Sequence, residues 1–555
     1  MRFCPRGRKQ IFFVTLVSLA FFGRGLYYCV QQPVWEGYDE FAHFAHIQHL
    51  AETGRVPTRD APVSGEIRRS LELLPLPAAA ANFLPKTALT HDDFWRLPAG
   101  ERLRRYAEFQ QLRAAPSPPP RAPLQYEAQQ PPLYYLLLAP AYLLARGLSL
   151  PAQVLILRVL SLAFATLTIP LAWAIARRVL KHERLALAAT VLLASLPGFY
   201  IDVCRVANDC LAIPLVAAVL LASLHLASRK AGATGWLVFG ALLAAALLTK
   251  AYALAFLVLL PPLAVMQLSR RRHALLAVSV VALAAGWWYL RAWQLTGTLS
   301  GEQLDAAANG FGLAGRLAAL ARMDWGRVLD SAAFSHIWLG GWSFLVVRSW
   351  MYRVPELFAA AAAAGLAILV IRKKKLAPES AILAAAYVLF CLGIAYHSLA
   401  IFLTQRVSTA LGWYLYAVVS AEVTLIALGL TGLAGTEWAR RGLATLAVLF
   451  LALDLFSVHF LLAPYYTGLI AHRPPGGIPA MRIADLLSPG TIQEMLRRLA
   501  LDQPSALGPA FIAACWALYL LSTAALALAA LWGRPPACGG LSGRPPRPAK
   551  PVNAK

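Results

Sequence analysis

Residues 11–30 read IFFVTLVSLAFFGRGLYYCV, and residues 37–46 follow as GYDEFAHFAH. The first run has the length of a membrane-crossing helix, about 20 apolar residues. The second places an acidic pair, Asp39 and Glu40, just beyond the end of that helix. Arg6, Arg8 and Lys9 precede the run, so charge bias puts its start in the cytoplasm and the acidic pair on the outer side. The same N-terminal pattern resembles a secretory leader. The run lacks a small-x-small cleavage site, which favours an uncleaved first span.

Composition widens this reading to the whole chain. Of 555 residues, 59% are hydrophobic and 14% charged, with a mean hydropathy of +0.58. Soluble domains are about a quarter charged, so this is an integral membrane protein. The apolar runs are continuous rather than alternating, which excludes a β-barrel. A net charge of +24 would suggest nucleic acid in a soluble protein. Here many cations stand in short clusters beside apolar runs and set orientation instead, so no nucleic-acid partner is expected. The seven cysteines show no metal spacing and no disulfide framework, leaving Cys204 with Cys210 as the one pairing to test.

Further spans are expected at about 153–176, 185–201, 211–227, 235–249, 251–268, 274–290, 355–371, 380–403, 413–433, 443–462 and 510–532, giving an all-α polytopic bundle of about twelve crossings. The apolar run from Leu133 to Leu144 is too short to cross and is read as juxtamembrane or re-entrant. The transmembrane domain thus occupies 1–533, with outer segments at 31–127, 292–350 and 463–508, and a basic, Pro/Gly-rich cytoplasmic tail at 534–555. The spans themselves read as mostly clean Ala, Leu and Val. Within the first outer loop, Phe41, Phe44, Ile47 and Leu50 recur every third residue, an apolar stripe suited to a short helix lying along the membrane surface.

Several residues on the outer side carry candidate chemistry. Asp39 with Glu40 suits a general base beside a membrane surface; the plain alternative is a solvated acidic start to a helix. Asp39, His43 and His46 can share one helical face and hold a metal, or form its polar face. Glu127, Gln129 and Gln130 precede Pro131-Pro132 and Tyr134-Tyr135, at an interface where the tyrosines also fit an aromatic belt. Asn208-Asp209 stands at the outer end of a span, either in a functional role or as a helix cap. Lys250 and Arg291 suit a lipid phosphate or simply snorkel to the interface. His397, Gln405, Arg406 and Trp413-Tyr414-Tyr416 are weaker candidates for a sugar or prenyl wall.

Taken in order, Tyr38-Asp39-Glu40-Phe41-Ala42-His43, Gly54-Arg55-Val56-Pro57, Gln129-Gln130-Pro131-Pro132-Leu133-Tyr134-Tyr135, Arg158-Val159-Leu160, Asn208-Asp209, Leu248-Thr249-Lys250 and Trp288-Tyr289-Leu290-Arg291 resemble the GT-C membrane glycosyltransferases. The protein O-mannosyltransferases and lipid A aminoarabinose transferases are the nearest branches. The resemblance covers roughly residues 10–300 and implies inverting transfer of a sugar from a polyprenyl-phosphate donor on the outer face. It assigns the base to Asp39 and a second acidic position to Asp209. The family often carries an ionisable residue immediately before the two prolines, where this chain has Gln129 and Gln130, so that role falls to Glu127 or is absent. Branches differ in metal use; a divalent metal is possible and no cofactor is certain.

The expected enzyme lies in the cell's inner (plasma) membrane with both termini cytoplasmic. It would act in cell-envelope glycan, glycolipid or protein glycosylation, with a glycan, lipid or protein as acceptor. A lipid-linked sugar flippase is the main rival and predicts charges near the middle of several spans. A scaffold without chemistry predicts Asp39 and Asp209 far apart.

Overall fold

The first span, Lys9–Gln31, lies in a bundle of long apolar helices. The computed structural model describes residues 5–78, 88–113, 124–228, 231–373, 376–473 and 477–532. The Ser117–Pro120 stretch, Cys4, Cys538 and the basic tail lie outside the described residues. Apart from a two-residue parallel pairing of Pro75–Leu76 with Leu89–Thr90 and isolated bridges, the described chain is helical.

Among the described residues nine helices are long and apolar enough to cross a membrane, and a bent pair makes a tenth. The pair is Glu183–Ser195 with Pro197–Val203, angled by 60°. Pro197 starts the second helix, where its missing N–H costs nothing. The two remaining expected crossings, Ala233–Leu247 and Ala251–Met266, are shorter than a full span. The segment Leu133–Ala145 is a 13-residue helix, too short to cross, as its sequence indicates.

Two expectations fail. The helix carrying the apolar stripe, Glu40–Thr53, does not lie on a surface: Phe41, His43, Phe44, His46, Ile47 and Gln48 are all buried. Its second side is covered by the first loop's own helices and by Leu133–Ala145; Gln48 donates to Tyr142 at 2.9 Å and to Glu66. The spans are also less clean than their composition suggests. Arg24 of the first span pairs with Asp454 at 2.7 Å, both fully buried. Tyr28 and Tyr519 donate to the same carboxylate, and Tyr200 accepts from Arg24. Every oxygen of Asp454 is thereby satisfied, the condition under which a buried pair is tolerated. Cys204 and Cys210 do not pair; both are free and buried.

Helix contacts tighten where side chains vanish. A Cβ on Gly365 would sit 1.9 Å from the Gly429 carbonyl oxygen, and one on Gly429 would sit 2.0 Å from that of Ala362. Small residues here let the helices Ser349–Lys373 and Val419–Ala434 touch backbone to backbone. The three connecting segments gather on one end of the bundle. Glu36 of the first accepts from Ser343 of the second at 2.9 Å, and Asp92 of the first meets His472 of the third at 2.7 Å. Gln110 donates to the carbonyls of Leu501 and Gln503.

Candidate active site

Asp39 sits at the N-cap of helix Glu40–Thr53 with φ +56°, a left-handed backbone that few non-glycine residues adopt. An aspartate in that position ordinarily spends its carboxylate on the helix's free N–H groups. This one makes no such bond. Its side chain instead accepts from the Tyr126 hydroxyl. Asp39 stays partly exposed although protein surrounds it on most sides. Burial raises its pKa above the usual carboxylate range; the Tyr126 bond and the charges of Arg205 and Lys250 offset part of the rise.

Glu40 is turned to a different task. Arg158 holds both its oxygens, at 2.7 and 2.6 Å, and the backbone N–H groups of Trp35 and Val206 also donate to it. Arg158 further donates to the carbonyls of Cys29, Gln32 and Pro33. The expected second reacting carboxylate is therefore a fully bonded tie. It fixes the turn 29–40 that presents Asp39.

Opposite lies a break in the membrane helices. Helix Ala233–Leu247 ends, Lys250 is extended at φ −154°, and a 3₁₀ segment begins at Ala251. A helix end leaves orphan carbonyls, and each here finds a separate partner. The Tyr289 hydroxyl donates to Leu247 O at 2.8 Å, the Leu133 N–H to Leu248 O at 2.8 Å, and the Asn208 amide to Thr249 O at 3.0 Å. Four motifs far apart in sequence thus meet at one helix terminus. The break directs Lys250 Nζ to Asp209 Oδ2 at 2.5 Å, with Tyr252 and Arg205 at the same carboxylate. Arg205 also donates to the Tyr38 carbonyl at 2.5 Å, which links this cluster to the residue before Asp39.

A third wall comes from the stretch before Pro131-Pro132. Asn208 donates to Gln130 Oε1 at 2.9 Å, and Gln130 donates to Glu302 at 3.1 Å. Gln129 reaches the other Glu302 oxygen at 3.4 Å and Glu127 at 3.5 Å. Burial raises Glu127 well above an ordinary glutamate, and the charges of Asp39 and Glu302 raise it further. Burial likewise pushes Glu302 up to about 7, with Lys250 offsetting. Glu302 was missed in the sequence, where Thr298-Leu299-Ser300-Gly301-Glu302 is a short polar stretch after a span. Its only signal is an acidic residue at a membrane exit, and many such residues are plain surface.

His43 and His46 turn to Tyr135. His43 Nδ1 meets its hydroxyl at 2.8 Å, and the His46 ring stacks on it with centroids 3.7 Å apart. Burial lowers the pKa of both, that of His46 to about 3. Among the described residues no group of three His, Cys, Asp or Glu is arranged to hold a metal ion. Arg291 packs its guanidinium 5.0 Å over the Trp288 ring. Trp413 stacks on Tyr38 at 4.5 Å, and Tyr414 lies beside Lys250 and His397. Gln405 and Arg406 are exposed.

Residues 129–289 match the family described as dolichyl-phosphate-mannose-protein mannosyltransferase. That stretch is similar to the lipid-phosphate-sugar-dependent glycosyltransferases. The matched stretch runs from Gln129 through Tyr289 and so contains Asn208, Asp209 and Lys250, while Asp39, Arg291 and Glu302 fall outside it. The resemblance read from the motifs is borne out. No curated protein matches the chain. Among solved structures the chain is similar to ArnT from Cupriavidus metallidurans bound to undecaprenyl phosphate, at 14% identity over 96% of this chain and 77% of that one, with a TM-score of 0.43. It is also similar to the apo oligosaccharyltransferase of Archaeoglobus fulgidus, at 13% identity over 93% of this chain and 56% of that one, with a TM-score of 0.35.

Proposed function

We propose that the transferase moves a sugar from a polyprenyl-phosphate donor to an acceptor hydroxyl or amine, with inversion, at the outer face of the cytoplasmic membrane. The product belongs to cell-envelope glycan, glycolipid or protein glycosylation. The observation that carries this reading is Asp39, a carboxylate left free of capping duty in a strained backbone, in electrostatic reach of Lys250. Strain retained at one acidic residue is a mark of a working site. The family's named donor is a lipid-phosphate sugar, and a mostly buried cation near a base is what that donor needs.

In the proposed step, Asp39 takes the proton of the acceptor as the acceptor atom attacks the anomeric carbon. The bond from that carbon to the phosphate oxygen breaks on the opposite face, and the lipid phosphate leaves with the electron pair. Lys250, held by Asp209, offsets its growing charge; Arg291 supports the lipid side. Glu127, Glu302, Gln129, Gln130 and Asn208 offer hydrogen bonds to sugar or acceptor hydroxyls, and His43 and Glu40 hold their neighbours in place. Counting the bent pair and the two short helices each as a crossing would give the twelve expected spans, and this reading then puts both termini in the cytoplasm and all three long connections outside. The test is Asp39→Asn in purified, monodisperse protein assayed with polyprenyl-phosphate sugars. Transfer should nearly vanish, and undiminished turnover would overturn the assignment.

A further inference from the structure

A cavity of about 260 Å³ shares no residue with the Asp39–Lys250 site. Its walls are mainly apolar, including Leu192, Val423, Leu446 and Phe450, with Tyr387 and Glu356 also lining it, and its rim carries the exposed Leu329 and Ala359. His336 and Glu422 face one another inside it. His336 Nε2 lies 2.9 Å from Glu422 Oε1, and His336 Nδ1 lies 3.2 Å from the Gly412 carbonyl oxygen. Both ring nitrogens thus face oxygens, and the His336–Glu422 pair is neutral as a whole whichever of the two carries the shared proton. Glu422 Oε2 remains buried without a hydrogen-bond partner.

An unpaired carboxylate oxygen in apolar surroundings is costly, and what satisfies it must suit the rest of the cavity. Water fills such a space poorly, because each molecule needs two to four polar partners and the walls supply few. An anionic headgroup would meet the bare Oε2 of Glu422. A cationic one would leave net charge in an apolar wall, since His336 already balances the carboxylate. A hydroxyl donates one hydrogen bond and adds no charge. We propose that this cavity is a binding site for a neutral lipid with a free hydroxyl, the hydroxyl donating to Glu422 Oε2 and the hydrocarbon lying against Leu192, Val423, Leu446 and Phe450. The cavity is also lined by Leu415, the residue after Tyr414, so the site backs onto the segment that carries Trp413 and Tyr414 to the transferase centre.

The test uses the full-length protein in mild detergent and a hexadecanol bearing a photoactivatable diazirine. Cross-links should map to peptides spanning residues 325–337 or 415–426 and be competed by plain hexadecanol. Palmitate should compete at least about tenfold more weakly, the difference one hydrogen bond to a charged acceptor supports. Ala359→Trp, a change at the exposed rim, should close the cavity and remove the label. Glu422→Gln should erase the preference for the alcohol over the acid. Labelling spread over the lipid-facing surface, equal competition by palmitate in the unaltered protein, or full labelling of a monodisperse Ala359→Trp variant would overturn the proposal.

Discussion

Lys250 Nζ lies 2.5 Å from Asp209 Oδ2 across 41 residues of sequence, and the contact exists because a membrane helix ends at Leu247, three residues before Lys250. An ammonium on an unbroken helix would point to lipid or to a neighbouring span. Here the orphan carbonyls of the break are each satisfied, so the interruption is held open without a buried unsatisfied backbone. In the proposed step Asp209 holds this cation for an anionic leaving group to share. Lys250→Met is expected to lower transfer about 10²–10³-fold, as for loss of a preorganised charge in a site of this kind. Asp209→Asn should lose less, and the double variant no more than Lys250→Met alone. Rates measured across donor concentration check this; losses that add would show that the two act independently.

The tie between Arg158 and Glu40 governs folding rather than chemistry. Arg158→Met leaves a buried, unpaired carboxylate and should destabilise by about 3–5 kcal/mol. Removing the charge of Glu40 as well, in Arg158→Met with Glu40→Gln, should recover part of the loss. Thermal unfolding in detergent reads both.

Tyr126 tunes the base. Its hydroxyl favours the charged form of Asp39, against the burial that raises the pKa. In Tyr126→Phe the pKa rises further, so the acidic limb of the pH–rate profile should move to higher pH while the alkaline side keeps its position. An unmoved acidic limb would separate Asp39 from the rate.

Glu302 links protonation to stability. Its pKa is about 7 in the fold against an ordinary 4.5, so between those values the folded state binds more protons than the unfolded one. Stability therefore falls as pH rises through that window. Glu302→Gln should flatten the decline in melting temperature from about pH 4.5 to 7, and a pH profile parallel to that of the unaltered protein would count against the assignment.

Much of the site was legible because membrane proteins expose their polar exceptions. Asp39, Glu127, Asp209 and Lys250 each interrupt or flank an apolar run, and such residues are expensive unless used. Glu302 gave no comparable signal. Its neighbours are polar, and only the Gln129 and Gln130 amides reaching it from the first loop give it a place. Arg24 and Asp454 stood in plain view inside their spans, but their mutual satisfaction is a tertiary fact. The apolar stripe at Phe41, Phe44, Ile47 and Leu50 misled for a related reason. Periodicity shows that one face of a helix is apolar, and says nothing about what covers the other.

The sequence by itself determined the class of molecule, the order of its spans and the family motifs, because hydropathy and charge bias act locally and every apolar run must find lipid or core. Only the tertiary structure decided the separation of Asp39 from Glu40. The two are adjacent in the chain, yet a left-handed backbone at Asp39 leaves its carboxylate to Tyr126, while Arg158 draws Glu40 into a buried tie. Partners more than eighty residues distant make that choice, and no local pattern carries their positions.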